Sequence, residues 1–170
     1  SYTATGTALS SSGSLKFSVS TTAPNAGTIS WGAVTNADKY TLYLDGSSTY
    51  TGTDLSKSVS SLSVGSHTMK VVAVYNADAN YNSEKSASFS TSVISDPVPS
   101  WAASTTVPDQ GTISWSAITY ATGYQTYVDG SAYGATITST SKAITGLSVG
   151  SHVIGVKALF SGDSSYSSST

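Results

Sequence analysis

The residues of this chain best equipped for chemistry are its two histidines, each preceded by a serine: Ser66-His67 and Ser151-His152. A hydroxyl within reach of an imidazole, with an acid behind it, makes a nucleophile and its base. Their setting argues against that use. Each pair lies in a run of alternating apolar residues, and neighbours on a strand point to opposite faces, so the imidazole turns away from the adjacent hydroxyl. The expectation is that His67 and His152 are structural corner residues. The nine acids are scattered over turns. Asp45 and Asp129 each precede a glycine, as hairpin turns require, and no two carboxylates are spaced for glycoside hydrolysis. Asn76, Asp78 and Asn80 alternate as calcium ligands can. Their loop lacks the glycine and bidentate glutamate of a helix-loop-helix site, so ordinary turn chemistry accounts for them. No zinc spacing, phosphate-binding loop or redox motif is present. The expected molecule is not an enzyme and has no metal or cofactor.

Tyrosine is the remaining candidate for binding, with 11 in 170 residues. By alternation Tyr43 and Tyr127 face outward, and exposed aromatic faces can stack on sugars or mark a contact surface. Cross-strand pairing within a sheet is the simpler use of the same rings.

These candidates recur because the chain repeats itself. Gly27-Thr28-Ile29-Ser30-Trp31 returns as Gly111-Thr112-Ile113-Ser114-Trp115, 84 positions later. The same offset links Phe17 to Trp101, Tyr40 to Tyr124 and Asp45-Gly46 to Asp129-Gly130. After a one-residue insertion the offset is 85, linking Leu62 to Leu147, Gly65-Ser66-His67 to Gly150-Ser151-His152, and Tyr81 to Tyr166. A period of this size is one small domain rather than a solenoid unit. The residues common to both copies are therefore expected to hold the fold, with Phe17, Trp31, Tyr40, Leu62, Trp101, Trp115, Tyr124 and Leu147 as core.

Composition narrows the partners. Charged residues are 9% of the chain, with a net charge of −2, no arginine and no cysteine, while Ser and Thr number 61. Nucleic acid requires clustered cations, and a membrane-spanning helix requires about 18 consecutive apolar residues; neither is present. Disulfides and thiolate chemistry are excluded.

The elements that must position the candidates are strands. Ile29, Trp31 and Ala33 alternate with polar partners, as do Ile113, Trp115 and Ala117. Tyr40, Leu42 and Leu44 lead into the Asp45-Gly46 turn. His67, Met69, Val71 and Ala73 share one face of a further strand, matched by His152, Ile154, Val156 and Ala158. Ser86 to Val93 reads as the last strand of copy one. About seven short strands per copy, with no sustained helical period, predict two tandem antiparallel Greek-key β-sandwiches.

The order Trp, then Tyr-x-Leu-Tyr-Leu-Asp-Gly, then Leu-x-x-Gly-Ser-His-x-x-x-Val-x-Ala resembles the fibronectin type III-like modules of bacterial surface proteins. Phe160 to Thr170 resembles the end of bacterial immunoglobulin-like repeats. The resemblance implies an all-β sandwich and a non-catalytic role. Immunoglobulin sandwiches place a corner tyrosine where His67 and His152 stand here, so the imidazole is read as replacing the phenol. Integrin binding through Arg-Gly-Asp is excluded by the lack of arginine.

The ends fall out of phase with the repeat. Residues 1–14 align with the last strand of a preceding copy, 15–94 form repeat one, 95–100 a proline-containing stiff linker, and 101–170 repeat two without its last strand. A sandwich so cut exposes an unpaired edge and an apolar groove. The leading expectation is a structural or adhesion spacer of an extracellular bacterial or phage surface protein, with neighbouring repeats as its partners. A second is an extracellular filament subunit polymerising by strand donation from residues 1–14. A third is a carbohydrate-binding accessory module that meets a cell-surface glycan through Tyr43 and Tyr127.

Overall fold

The computed structural model describes residues 9–10 and 13–170. Most of the strand-like segment expected at 1–14 therefore lies outside the described residues. The chain divides into two units, one up to Thr91 and one from Ser92 to Thr170. That boundary falls before the one expected from the sequence, because Ile94 and Pro97 are buried and the Ile94 amide donates to the Tyr166 carbonyl at 2.9 Å. The expected linker is also tied down, with the Ser169 amide donating to the Asp96 carboxylate at 2.8 Å.

Unit one contains seven strands: β1 (Leu15–Val19), β2 (Gly27–Trp31), β3 (Lys39–Leu44), β4 (Ser47–Gly52), β5 (Ser56–Val59), β6 (Gly65–Val74) and β7 (Ser83–Thr91). They form two antiparallel sheets, ordered β1-β2-β5 and β4-β3-β6-β7. The sheets bury Ile29 and Trp31 of one against Tyr40, Leu42, Met69, Val71 and Ala73 of the other. Full alternation along β6 follows from the period-two pattern, since one face must leave water and the other stays in it. Leu62 is buried, whereas Phe17 is partly buried against this core.

Unit two repeats the plan with β8 (Ser100–Ala103), β9 (Gly111–Ser114), β10 (Gly123–Val128), β11 (Ser131–Ala132), β12 (Ser141–Ile144) and β13 (Ile154–Leu159). Its sheets run β12-β9-β8 and β11-β10-β13. Trp115 meets Tyr124 edge-on across the core at 5.2 Å, as Trp31 meets Tyr40 at 6.1 Å. Both buried indole N–H groups lack a hydrogen-bond partner, so ring packing alone holds them.

Three local expectations are corrected. Ala33 and Ala117 are exposed, because β2 ends at Trp31 and β9 at Ser114. The chain turns there, and the next inward residue is Val34, whose amide donates to the Tyr40 hydroxyl at 2.8 Å; Ile118 does the same to Tyr124 at 2.9 Å. Leu147 is only half-buried, unlike Leu62. Trp101, expected in the core, is 42% exposed, for a reason that belongs to the edge described below.

The repeated glycine at the head of β2 and β9 has a packing cause. A Cβ on Gly27 would fall on the Phe17 ring and the Ser18 carbonyl, and one on Gly111 on the Trp101 ring. Phe17 on β1 and Trp101 on β8 thus lay their rings over a position that offers no side chain. Gly27→Ala should therefore destabilise unit one by about 1–3 kcal/mol, the usual range for overpacking a closed site. Urea denaturation of the single variant measures this; an unchanged midpoint would contradict the packing.

Candidate binding surfaces and the histidine lock

The Asp-Gly hairpins position the first feature. Asp45 and Gly46 adopt φ values of 49° and 80°, and Asp129 and Gly130 values of 49° and 78°, the left-handed pair that a two-residue hairpin needs. This conformation carries each aspartate back over the start of the strand that pairs with its own, β6 beside β3 and β13 beside β10. The Asp45 carboxylate accepts from the Thr68 amide at 2.7 Å through one oxygen and from His67 Nδ1 at 2.7 Å through the other. His67 Nε2 donates to the Ser63 carbonyl at 2.9 Å. Unit two reproduces the set: Asp129 accepts from the Val153 amide at 2.8 Å and from His152 Nδ1 at 2.7 Å, and His152 Nε2 donates to the Ser148 carbonyl at 2.9 Å.

Both ring nitrogens of each histidine thus face acceptors, a carboxylate on one side and a carbonyl on the other. Only the doubly protonated ring donates to both. The hydrogen bond from Asp45 raises His67 above the usual histidine value, against the opposing effect of burial. The reciprocal bond from His67 lowers Asp45. His152 and Asp129 shift in the same directions, each chiefly through its hydrogen bond to the other.

Unit two carries an outward likeness to a catalytic triad, since the Ser148 hydroxyl lies 3.4 Å from His152 Nε2. The chemistry does not follow. That nitrogen's proton is held by the Ser148 carbonyl at the shorter distance, so it has no lone pair with which to take a proton from serine. Ser66 is exposed on the opposite face of β6 from buried His67. The role of Asp45 and Asp129 as histidine partners was missed in the sequence, although the signal was there: an Asp-Gly precedes the histidine by 22 and 23 residues in the two copies.

The two tyrosines occupy unlike surroundings. Tyr43 lies opposite Lys70, whose ammonium sits 4.9 Å from the ring centroid and 3.3 Å from Glu84. One face of that ring is thus covered by a cation. Tyr127 lies opposite Gly155, in a shallow depression shared with Pro97, Pro99 and Val153. The structure does not bring Tyr43 and Tyr127 into one surface within a unit. Asp78, from the alternating loop, accepts from the Asn80 amide at 2.9 Å and caps a short 3₁₀ turn, as Asp163 does for Ser165. Among the described residues no three metal-ligating acids, histidines or cysteines gather.

The most distinctive surface is the edge of unit two. In unit one, β7 pairs with β6 from Ala73↔Ser83 to Gly65↔Thr91 and sends Phe89 inward. Phe89 stacks on Phe17 at 3.9 Å and on His67 at 5.3 Å. No described strand lies along the corresponding edge of β13. The chain only begins one: Ser168 is buried, its amide donates to the Ala158 carbonyl at 2.9 Å and its hydroxyl accepts from the Ala158 amide at 2.8 Å. Trp101 and His152, the counterparts of Phe17 and His67, instead line an open groove of about 460 Å³ with Leu147 and Ile154. This is why Trp101 is exposed, why Leu147 is half-covered, and why His152 is 16% exposed against 5% for His67. Val153 and Val149 stand beside the groove, 73% and 106% exposed.

No family model and no curated protein sequence matches the chain. Among solved structures it is similar to a two-domain fibronectin type III segment of chicken tenascin, at 18% identity and a TM-score of 0.45, covering 93% of this chain and 94% of that one. It is also similar to the fibronectin(III)-like modules of Clostridium thermocellum CbhA, at 18% identity and a TM-score of 0.40, covering 92% and 90%. A third similarity is to the central fibronectin-III array of RIM-binding protein, at 18% identity and a TM-score of 0.40; it covers 89% of this chain, which spans 63% of that array. The strand orders themselves, three strands against four in unit one and three against three in unit two, make each unit an antiparallel β-sandwich.

The lock makes stability depend on pH from both sides. Histidine values raised above 6.5 give stabilisation that is complete below 6.5 and lost as pH rises through the raised values. Aspartate values lowered below 3.8 give stabilisation that is complete above 3.8 and lost as pH falls through the lowered values. Thermal unfolding followed across pH should therefore show a plateau between 3.8 and 6.5, with a decline on the alkaline side as pH rises through the raised histidine values. The double variant His67→Asn/His152→Asn should remove the alkaline decline; an unaltered profile would contradict a charged lock.

Proposed function

We propose that the chain is a non-catalytic spacer: a pair of sandwich modules that holds a neighbouring part of an extracellular bacterial or phage surface protein at a distance. One observation carries this reading. The polar groups that recur in both repeats, the Asp-His-carbonyl lock and the tyrosine hydroxyl that receives the Val34 or Ile118 amide, are spent on internal hydrogen bonds. A repeated binding or catalytic site would instead present recurring polar groups to solvent, and a charge-poor skin rich in Ser and Thr offers little to steer a charged ligand. Neighbouring repeats of the same kind are the proposed partners, and the placement outside the cell rests on that same composition. No helix among the described residues is long and apolar enough to cross a membrane.

The glycan reading has less support, since Lys70 covers one face of Tyr43 and the corresponding position beside Tyr127 is Gly155. A spacer must resist tension. Stretching single molecules by their ends should give two separate unfolding events, with unit one yielding at the higher force because β7 closes its edge. Smooth extension without resolved events would overturn the spacer reading.

A further inference from the structure

Asp45-Gly46 and Asp129-Gly130 are the only places in the chain where an aspartate or asparagine precedes a glycine. Such a pair is chemically weak. The glycine nitrogen can attack the aspartate Cγ: an N–Cγ bond forms, the amide proton and the carboxyl hydroxyl leave as water, and a succinimide ring closes. Water then opens the ring at either carbonyl, and opening at the main-chain carbonyl leaves the chain running through Cγ as isoaspartate. A glycine, having no side chain, hinders that attack least. The surroundings add no hindrance: Gly46 and Gly130 are exposed, and nothing lies within 4 Å of where a Cβ would stand on either.

What restrains each carboxyl is the lock. Asp45 is held on different oxygens by the Thr68 amide and by His67 Nδ1, at 2.7 Å each. Asp129 is held by the Val153 amide at 2.8 Å and by His152 Nδ1 at 2.7 Å. Such donors favour the anion, whereas the ring closes from the neutral acid, which can release water. The bond from the histidine first, and that from the backbone amide second, hold each aspartate below the usual carboxylate value. Both oxygens are also tethered to the neighbouring strand, so Cγ is not free to swing onto the glycine nitrogen.

We propose that Asp45 and Asp129 are latent isoaspartate sites, and that the histidine of each lock keeps its Asp-Gly bond from isomerising by pinning the carboxylate to the neighbouring strand. Failure is structural in its effect. Isomerisation adds a methylene to the main chain inside the turns that set Leu44 against Ser47 and Val128 against Ser131. The carboxylate moves onto Cα, one methylene short of the position from which it held the imidazole. This chemistry is independent of what the modules hold apart.

His67→Leu fills the buried site without a donor. The variant and the parent chain, kept folded at mildly acidic pH for several weeks, are cleaved after lysine, and the linkage at each site is read by electron-transfer mass spectrometry. Loss of one charge-assisted hydrogen bond raises the share of neutral acid about tenfold. Isoaspartate at Asp45 should therefore accumulate about tenfold faster, with Asp129 of the same molecule unchanged. His152→Leu should reverse the pattern, at the more exposed of the two histidines, where leucine disturbs the fold least. Tyr40→Phe strips the Val34 amide of its acceptor at the far end of β3 and loosens unit one without touching the lock; it should leave Asp45 at the parent rate. Parent rates at the unlocked aspartate, or an equal rise at both sites, would overturn the proposal. So would an equal rise at Asp45 in Tyr40→Phe, which would assign the protection to folding as a whole.

Discussion

Closure of the fourth edge decides how each sandwich is built. Two sheets packed face to face leave an apolar seam along the strand that carries the histidine, and something must cover it. In unit one β7 does so, and Phe89 ties the two sheets together by stacking on Phe17 from one and His67 from the other. Everything at that end of the unit is then drier: His67 is buried and Leu62 is enclosed. Unit two has the same core, turns and lock, yet Trp101 and Leu147 stand half in water, with no described strand along that part of the seam. Among the described residues the copies share their core and turns and differ at this edge, where β7 lines β6 in unit one and no described strand lines β13.

The lock shows how a charge-poor chain uses the few ionisable groups it has. One aspartate accepts the left-handed turn, caps an amide of the next strand and holds an imidazolium, while the second ring nitrogen satisfies a carbonyl. A corner tyrosine would make a single hydroxyl contact at such a position. The histidine makes two, and it makes the corner responsive to protons. A geometry that superficially assembles acid, imidazole and hydroxyl is in this case committed to architecture, because the proton that catalysis would need to accept is already in place.

Much of this was legible in the sequence. The 84- and 85-residue offsets fixed two copies, and alternation along Ile29–Trp31 and His67–Ala73 identified inward faces that the structure buries. Alternation misled at Ala33 and Ala117, since a period says nothing of where a strand stops; there a tyrosine hydroxyl captures the backbone and turns it. The prolines of 95–100 suggested a stiff linker; that Ile94 and Pro97 are buried is a tertiary fact with no local signature. Trp101 matched Phe17 by position, and the match was sound; its burial depends on a residue of another strand that pattern matching within one strand never examines. The pairing of Asp45 with His67 was hidden by a sufficient local explanation, the hairpin turn.

The claim that β13 is an open edge is tested most directly by residue-resolved amide exchange at a concentration where the chain is monomeric. Ala158 points its amide toward the edge, so alternation directs those of Ile154 and Val156 the same way, while Gly155 and Lys157 face β10. The account predicts fast exchange at Ile154 and Val156, slow exchange at Gly155 and Lys157, and slow exchange at both kinds of position in β6. Uniform protection along β13 in the monomer would mean that the edge is already covered, and the account of unit two would be wrong.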